Sequence, residues 1–370
     1  MNEHKSPPLP VVIVGCGAVS QHFYAPTLEG LNSANTTIVA ALVDPDQIAR
    51  EALVGRFKSA IPRSRIDEIP VSIAPSGSLC IIASPPKYHL ALAMAAFARG
   101  WHVLCEKPMA ATAEECAAMI QAGVQANRLL AVGLYKRFMP AHRAIKSLIE
   151  KQTFGRLQKV SIAEGGKFRW PAVSDSFFKK ESTPGGVLLD IGVHVLDLLL
   201  WWLGEPLIFD YADDARDGLE ANCVVTATFQ HPGMHRETPV NVRVRLSRDW
   251  ATENCYCFRF ERATIHCRVN ASNHLELTFD DLPMTLAAEL RDPIGAGPGP
   301  QTLALETNPQ AFVAQLLDVC SAVRNQHLPT VTGEEGARAI RWIEKCYASS
   351  GSLSEPWQNS PGPRKLIRAL

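Results

Sequence analysis

Five short runs of apolar residues punctuate the first 133 positions, and each stops at a glycine, an aspartate or a proline-bearing turn. Residues 11–14 stop at Gly15, residues 37–43 at Asp44, and residues 79–83 at Ser84-Pro85-Pro86. Residues 101–105 lead into Glu106-Lys107-Pro108, and residues 129–133 close the series. Their unbroken apolar character fits strands covered on both faces, as in a parallel sheet between helical layers. The intervening stretches 45–57, 88–99 and 112–127 alternate apolar and polar residues at helical spacing. Strand, helix, strand, repeated, predicts an open parallel sheet with right-handed crossovers, a Rossmann-type domain over residues 1–130.

The pattern then changes. A helix is expected over 140–151, followed by seven short strand-like runs at 157–163, 207–211, 223–229, 240–246, 255–260, 264–269 and 275–279. Two helices return at 309–325 and 333–349, after a glycine- and proline-rich loop at 293–300. This reads as a second, α+β domain over 131–350 with a large, mostly antiparallel open sheet, and a tail over 351–370.

Composition narrows the function. Lysine plus arginine equals aspartate plus glutamate, 37 each, which argues against a basic nucleic-acid binder. The most apolar run, 195–203, is far shorter than the roughly 20 residues of a membrane helix and contains Asp197. The first ten residues hold no apolar signal core, and the ten cysteines form no regular framework. A cytoplasmic protein with free thiols is expected.

Two segments carry chemistry. Gly15-Cys16-Gly17-Ala18-Val19-Ser20 joins the first strand to the first helix. Gly15 permits a sharp turn, Gly17 lets a pyrophosphate approach the main chain, and the helix start offers free N–H groups. The competing reading is a structural glycine turn. Asp44, ending the second strand, would accept hydrogen bonds from ribose hydroxyls and repel a 2′-phosphate, and residues 43–46 hold no arginine, so NAD is favoured over NADP. Alternatively, Asp44 or Asp46 caps the following helix. Cys16 is a small filler of the loop.

Hydride transfer to nicotinamide leaves a proton to be handled separately, and histidine suits that task. Residues 185–197 supply Asp190 and His194, four apart and on one face if helical, with Asp197 a turn further on. From the residues alone, a satisfied core histidine beside a carboxylate stands equally open. Lys107 sits where the fourth run leaves the sheet, the edge at which such sheets bind ligands, with Glu106 as cofactor neighbour or salt-bridge mate.

Gly15-Cys16-Gly17, Glu106-Lys107-Pro108 and Asp190-Ile191-Gly192-Val193-His194 occur in the order and spacing of the glucose-fructose oxidoreductase / inositol dehydrogenase (Gfo/Idh/MocA) family, which this chain resembles. Residues 132–138 with Pro140, 154–157 and 331–336 extend the resemblance over nearly the whole chain. It implies NAD(P)-dependent oxidation or reduction of a secondary alcohol or ketone on a sugar, cyclitol or related polyol. The triad maps onto Lys107, Asp190 and His194, with a cis peptide before Pro108. Ser84 and Pro85 stand in the family's cofactor-side turn, where Ser84-Pro85-Pro86 replaces threonine-proline-asparagine. His89 keeps its place and is expected to be structural. Lys136 and Arg137 replace an asparagine-arginine pair, and with Trp170 they are the expected substrate contacts. The open sheet is expected to join subunits into a homodimer or homotetramer.

Two other readings share this scaffold: a glycosidase using NAD transiently, and a non-catalytic sugar or cofactor sensor. Lys167 and Arg169 read as a solvated basic loop, and Trp201-Trp202 as core. Cys255, Cys257, His266 and Cys267 lack the spacing of a closed zinc set, so no metal is expected.

Overall fold

A computed structural model of the protein describes residues 7–167, 183–215, 218–230, 239–269, 273–282, 284–289 and 309–353. Arg169, Trp170 and the loop at 293–300 lie outside the described residues, as does the tail from 354 onward. The described residues fall into two units, one of 7–135 with 309–340, the other of the remainder.

Six parallel strands form the first sheet: β1 (Leu9–Val14), β2 (Thr37–Val43), β3 (Ile61–Arg63), β4 (Leu79–Ile82), β5 (His102–Cys105) and β6 (Leu130–Val132). Their order is β3-β2-β1-β4-β5-β6. Val11, Val12 and Ile13 are fully buried, so consecutive side chains face apolar cover on both sides. All five apolar runs are strands. The sixth, β3, is a three-residue edge strand containing Pro62, too short and too irregular to show in the pattern. Crossing the sheet are α1 (Ala25–Ser33), α2 (Gln47–Val54), α3 (His89–Ala98) and α4 (Ala113–Gln125). The Asp46 carboxylate accepts from Ile48 N and caps α2, and Thr112 Oγ1 accepts from Glu115 N and caps α4. Chain order reverses direction between β1 and β4, which places the loop after β1 at a topological switch point.

The second unit opens with α5 (Pro140–Glu150) and β7 (Leu157–Gly165), followed by α6 (Val193–Leu203). Then come β8 (Ile208–Asp213), β9 (Asn222–Gln230), β10 (Pro239–Ser247), β11 (Cys255–Phe260), β12 (Ala263–Arg268), β13 (His274–Phe279) and β14 (Thr285–Glu289). With β15 (Gly351–Ser352), drawn from the expected tail, they make a nine-stranded sheet, β14-β13-β12-β11-β7-β10-β9-β8-β15. Pairings are antiparallel except β7 with β10 and β8 with β15. All seven expected strands are present. One face is apolar: Val160, Ile162, Val242, Val244, Tyr256, Phe258 and Phe260 are buried, with the Trp202 ring of α6 edge-on to Phe258 at 5.2 Å. Residues between them, such as Lys159, Arg243 and Arg259, are exposed on the other face.

Between β14 and β15 in sequence lie α7 (Pro309–Asn325) and α8 (Gly333–Ala348). The division into units differs from the expected domain boundaries. The first unit runs on to Tyr135 rather than 130, and it takes back α7 and α8 up to residue 340, which the sequence reading had assigned to the second domain. The physical reason is Phe312 of α7, which stacks on Phe23 and Tyr135 (4.9 and 4.8 Å) and meets Tyr24 edge-on at 5.6 Å.

Candidate active site

In the first unit, β1 runs into Gly15, whose φ of +93° is left-handed. A Cβ there would stand 2.6 Å from the Ala83 carbonyl and from Ser84 N, so the turn presses against the exit of β4. At Gly17 the space is open: nothing among the described residues lies within 4 Å of a Cβ built there. The first helical bond runs from Gln21 N to Gly17 O (3.0 Å), which leaves the N–H groups of Ala18 and Val19 ahead of the ladder. Ser20, in the third glycine position, donates from Oγ to Gly15 O at 2.5 Å and so closes the turn on itself. A π-turn over Ser20–Tyr24 then carries the chain into α1.

Asp44 is bound to this loop. Its Oδ2 accepts from Cys16 N (2.7 Å) and its Oδ1 from Asp46 N (2.9 Å). The alternative of a helix cap belongs to Asp46, leaving Asp44 fixed beside the glycine turn. Cys16 is buried, and burial, followed by the Asp44 charge, pushes its thiol up to about 12, which rules out a thiolate at neutral pH. The loop meets what a pyrophosphate needs: an open glycine, unused N–H groups and a carboxylate set for ribose hydroxyls.

Two further segments leave the same sheet. Ser84 and Pro85 follow β4, and the Ser84 hydroxyl is buried with no hydrogen-bond partner among the described residues. His89, fully buried, has Nε2 2.8 Å from Ser84 O and Nδ1 3.0 Å from Pro108 O, which ties the two loops together as a structural residue. Its pKa is lowered, chiefly by burial. The Lys107–Pro108 bond is cis, as the resemblance implied, and Lys107 is half-buried. Glu106 is committed inward. Its Oε1 accepts from Tyr24 OH (2.6 Å), its Oε2 from Lys107 N (3.1 Å), and burial raises its pKa. Tyr24 was not singled out in the sequence, where nothing marks it among other aromatics.

In the second unit, the helical segment expected at 185–197 begins at residue 187, and a π-turn over Leu188–Gly192 precedes α6. Such turns recur at functional sites. Its start is held by Glu220, missed in the sequence: the carboxylate accepts from Gly186 N and Leu188 N (2.9 Å each) and from Tyr347 OH (2.7 Å). Gly186 is required because a Cβ would sit 2.1 Å from Glu220 O. Asp190 pairs with Arg248 of the segment after β10, Nη2 to Oδ2 3.1 Å, with the two side chains 20% and 8% exposed. Arg248 was also missed, since a lone arginine after a strand carries no signal. Gly192 lets the π-turn lie against Leu246, where a Cβ would meet Leu246 Cδ1 at 2.8 Å. His194 is 6% exposed.

Two of the expected substrate contacts, Lys136 and Arg137, are ion-paired. Arg137 is 2% exposed and bidentate to Asp197, with Nε–Oδ2 at 2.8 Å and Nη2–Oδ1 at 2.6 Å. Lys136 donates to both oxygens of Glu164 (2.6 and 2.8 Å), and Tyr256 OH donates to the same carboxylate at 2.5 Å. Both cations, expected to contact substrate, are buried ion-pair partners that tie the segment after β6 to α6 and β7. Trp170 lies outside the described residues, and Lys167 is exposed. Cys255 Sγ lies 3.8 Å from His266 Nδ1, and no group of three or more metal-ligating side chains occurs among the described residues.

A sequence model of the oxidoreductase family with the NAD-binding Rossmann fold, Gfo/Idh/MocA, matches residues 9–134. The family's C-terminal domain matches residues 142–269. The chain belongs to the Gfo/Idh/MocA family. It is 27% identical over 205 residues to D-glucoside 3-dehydrogenase of Escherichia coli, covering 55% of this chain and 56% of that one. To inositol 2-dehydrogenase 2 of Saccharopolyspora erythraea it is 28% identical over 202 residues, 53% and 54% of the two chains. The matched region thus spans about half the length of these curated relatives. Among solved structures, levoglucosan dehydrogenase in complex with NADH and levoglucosan shares the fold with a TM-score of 0.77 at 19% identity, covering 93% of this chain and 98% of that one. Aldose-aldose oxidoreductase from Caulobacter crescentus gives 0.74 at 22% identity, over 92% and 97%. Among the described residues, no helix is long and apolar enough to cross a membrane.

Proposed function

We propose that this protein is a dehydrogenase that uses NAD to interconvert a secondary alcohol and a ketone on a sugar, cyclitol or related polyol. The observation that carries the reading is the first-unit loop, where Gly15 is packed against the exit of β4, Gly17 is open, and Asp44 is bonded to Cys16 N. The named activities of the relatives, on a D-glucoside and on inositol, support the substrate class.

The Gly17 main chain and the N–H groups of Ala18 and Val19 take the pyrophosphate, and Asp44 takes the adenosine ribose hydroxyls. The bound nicotinamide supplies hydride exchange at the alcohol carbon. His194 accepts the hydroxyl proton during oxidation and returns it in ketone reduction. Lys107 donates a hydrogen bond to the same oxygen, where positive charge favours the developing alkoxide over the ground state. Asp190, paired with Arg248, orients His194 and neighbouring substrate hydroxyls. The exposed face of the nine-stranded sheet, with its half-exposed Ser161, Thr226, Cys255 and Cys257, joins subunits into a homo-oligomer.

The test is NADH formation across a panel of cyclitols, aldoses, glycosides and uronates. The wild-type protein should reduce NAD with at least one polyol. His194→Ala and Lys107→Ala should each lose about 10²-fold or more in turnover. Full turnover in either variant would overturn the triad assignment, and glycoside cleavage without net NADH would replace the dehydrogenase reading.

A further inference from the structure

The sequence offers no arginine next to Asp44, but the fold brings one there. Arg50 lies six residues on, at the close of the first turn of α2, and its Nη1 donates to the Asp44 carbonyl oxygen. The backbone N–H of Arg50 donates to Asp46 O at 3.2 Å, so α2 itself sets where the side chain starts. A second arginine, Arg63, whose carbonyl accepts from Asp44 N (3.2 Å), spends its guanidinium on Pro62 O (2.8 Å) and Glu68 O (3.3 Å). At the end of β2 there are therefore two fixed groups of opposite sign. The Asp44 carboxylate is held on both oxygens by backbone N–H groups, and the half-exposed Arg50 guanidinium is anchored to the carbonyl of the same residue.

These two groups ask for different cofactors. A carboxylate accepts hydrogen bonds from a ribose diol and repels a 2′-phosphate, whereas a guanidinium fork is matched to phosphate oxygens. Selectivity is a difference of affinities, so the observed preference depends on both. Resting on the dinucleotide reading above, we infer that Arg50 is a second determinant of cofactor choice, a 2′-phosphate handle held in check by the Asp44 carboxylate. NADP use then lies one substitution away, with no new cation required.

The test reads binding alone. Dissociation constants of NADH and NADPH are measured by fluorescence titration of the full-length protein, at low and at high salt. Proteins are the wild type, Asp44→Asn, Arg50→Met and the double variant, each checked for folding by circular dichroism. The wild type should prefer NADH. Asp44→Asn should move the NADPH/NADH affinity ratio toward NADPH by about 100-fold, and adding Arg50→Met should take back about tenfold or more of that gain, the scale of a hydrogen bond to a charged group. The NADPH affinity of Asp44→Asn should also fall more steeply with salt than that of the double variant. If Asp44→Asn misfolds, Asp44→Ser, which keeps an acceptor for Cys16 N, repeats the comparison. Equal NADPH/NADH ratios with and without Arg50 in the Asp44-substituted background would overturn the inference and leave the dinucleotide reading intact. Failure of the wild type to bind either dinucleotide would overturn both.

Discussion

An alanine at Gly15 would force a left-handed backbone on a residue with a Cβ and drive that Cβ to 2.6 Å from the main chain of residues 83–84. At Gly17 the same substitution meets nothing within 4 Å among the described residues. The two positions therefore separate fold from function. Gly15→Ala should cost about 3 kcal/mol or more from backbone strain and overpacking together. Gly17→Ala should keep the wild-type melting midpoint within about 2 °C, since it adds only a methyl group in open space, yet bind NADH at least tenfold more weakly. A melting scan beside an NADH titration decides it, and a Gly17→Ala protein with wild-type NADH affinity would remove Gly17 from the cofactor loop. Both glycines were legible because the demand they meet is local. The charges of Lys136 and Arg137 were legible too, but not their ion-pair partners: Glu164 and Asp197 are 28 and 60 positions away in sequence, and no local pattern reports a partner at that distance.

The helix carrying His194 shows how an element is held as well as formed. Residues 193–203 would make a helix from their apolar content alone, but its pose is set from outside. Glu220 occupies the N–H groups of 186 and 188 at its start, and Arg137 grips Asp197 one turn past His194. Pattern reading found the helix and the DxGxH spacing. It missed the π-turn because one extra residue in a turn leaves the apolar pattern nearly unchanged, and it missed Glu220 because an external cap has no fixed sequence offset. With both side chains under 3% exposed, the Arg137–Asp197 pair obeys the asymmetry of buried charges. Removing one partner strands the other, whereas removing both is tolerated. Arg137→Ala should cost about 3–5 kcal/mol in urea unfolding, and Arg137→Met with Asp197→Leu should recover most of that stability. Activity should not return with it if the pair sets the pose of His194. A double variant no more stable than the single would show that the helix depends on the charges themselves rather than on their mutual neutralisation.

At the scale of the whole molecule, the fold class and every strand but β3, β14 and β15 were legible because each apolar run reports its own burial. Which unit a helix joins was not, because an amphipathic face does not name the surface that covers it. The stripe of α7 fixes its periodicity, and only the seat of Phe312 among Phe23, Tyr24 and Tyr135 assigns it to the first unit. Burial of titratable groups also shapes how the molecule responds to acid. His142 packs between Trp202 and Tyr256, both ring centroids 5.4 Å away, and burial, followed by the Lys136 charge, lowers its pKa from 6.5 to about 3. In the native state it stays neutral while the unfolded chain takes up a proton below pH 6.5, so stability is complete above that value and falls as pH drops toward 3. Glu106 and Glu220 act with the opposite sign. Their folded pKa values are raised by burial, so they favour the native state as pH falls. The net acid slope mixes these terms, but substituting His142 isolates one of them. Between about pH 7.5 and about pH 5.5, wild-type stability relative to His142→Phe should fall by about 1.4 kcal/mol, the value of one proton over one pH unit below 6.5. Any packing difference enters as a constant offset and leaves the slope untouched. Parallel stability–pH curves for the two proteins would mean that His142 takes up its proton within the native state.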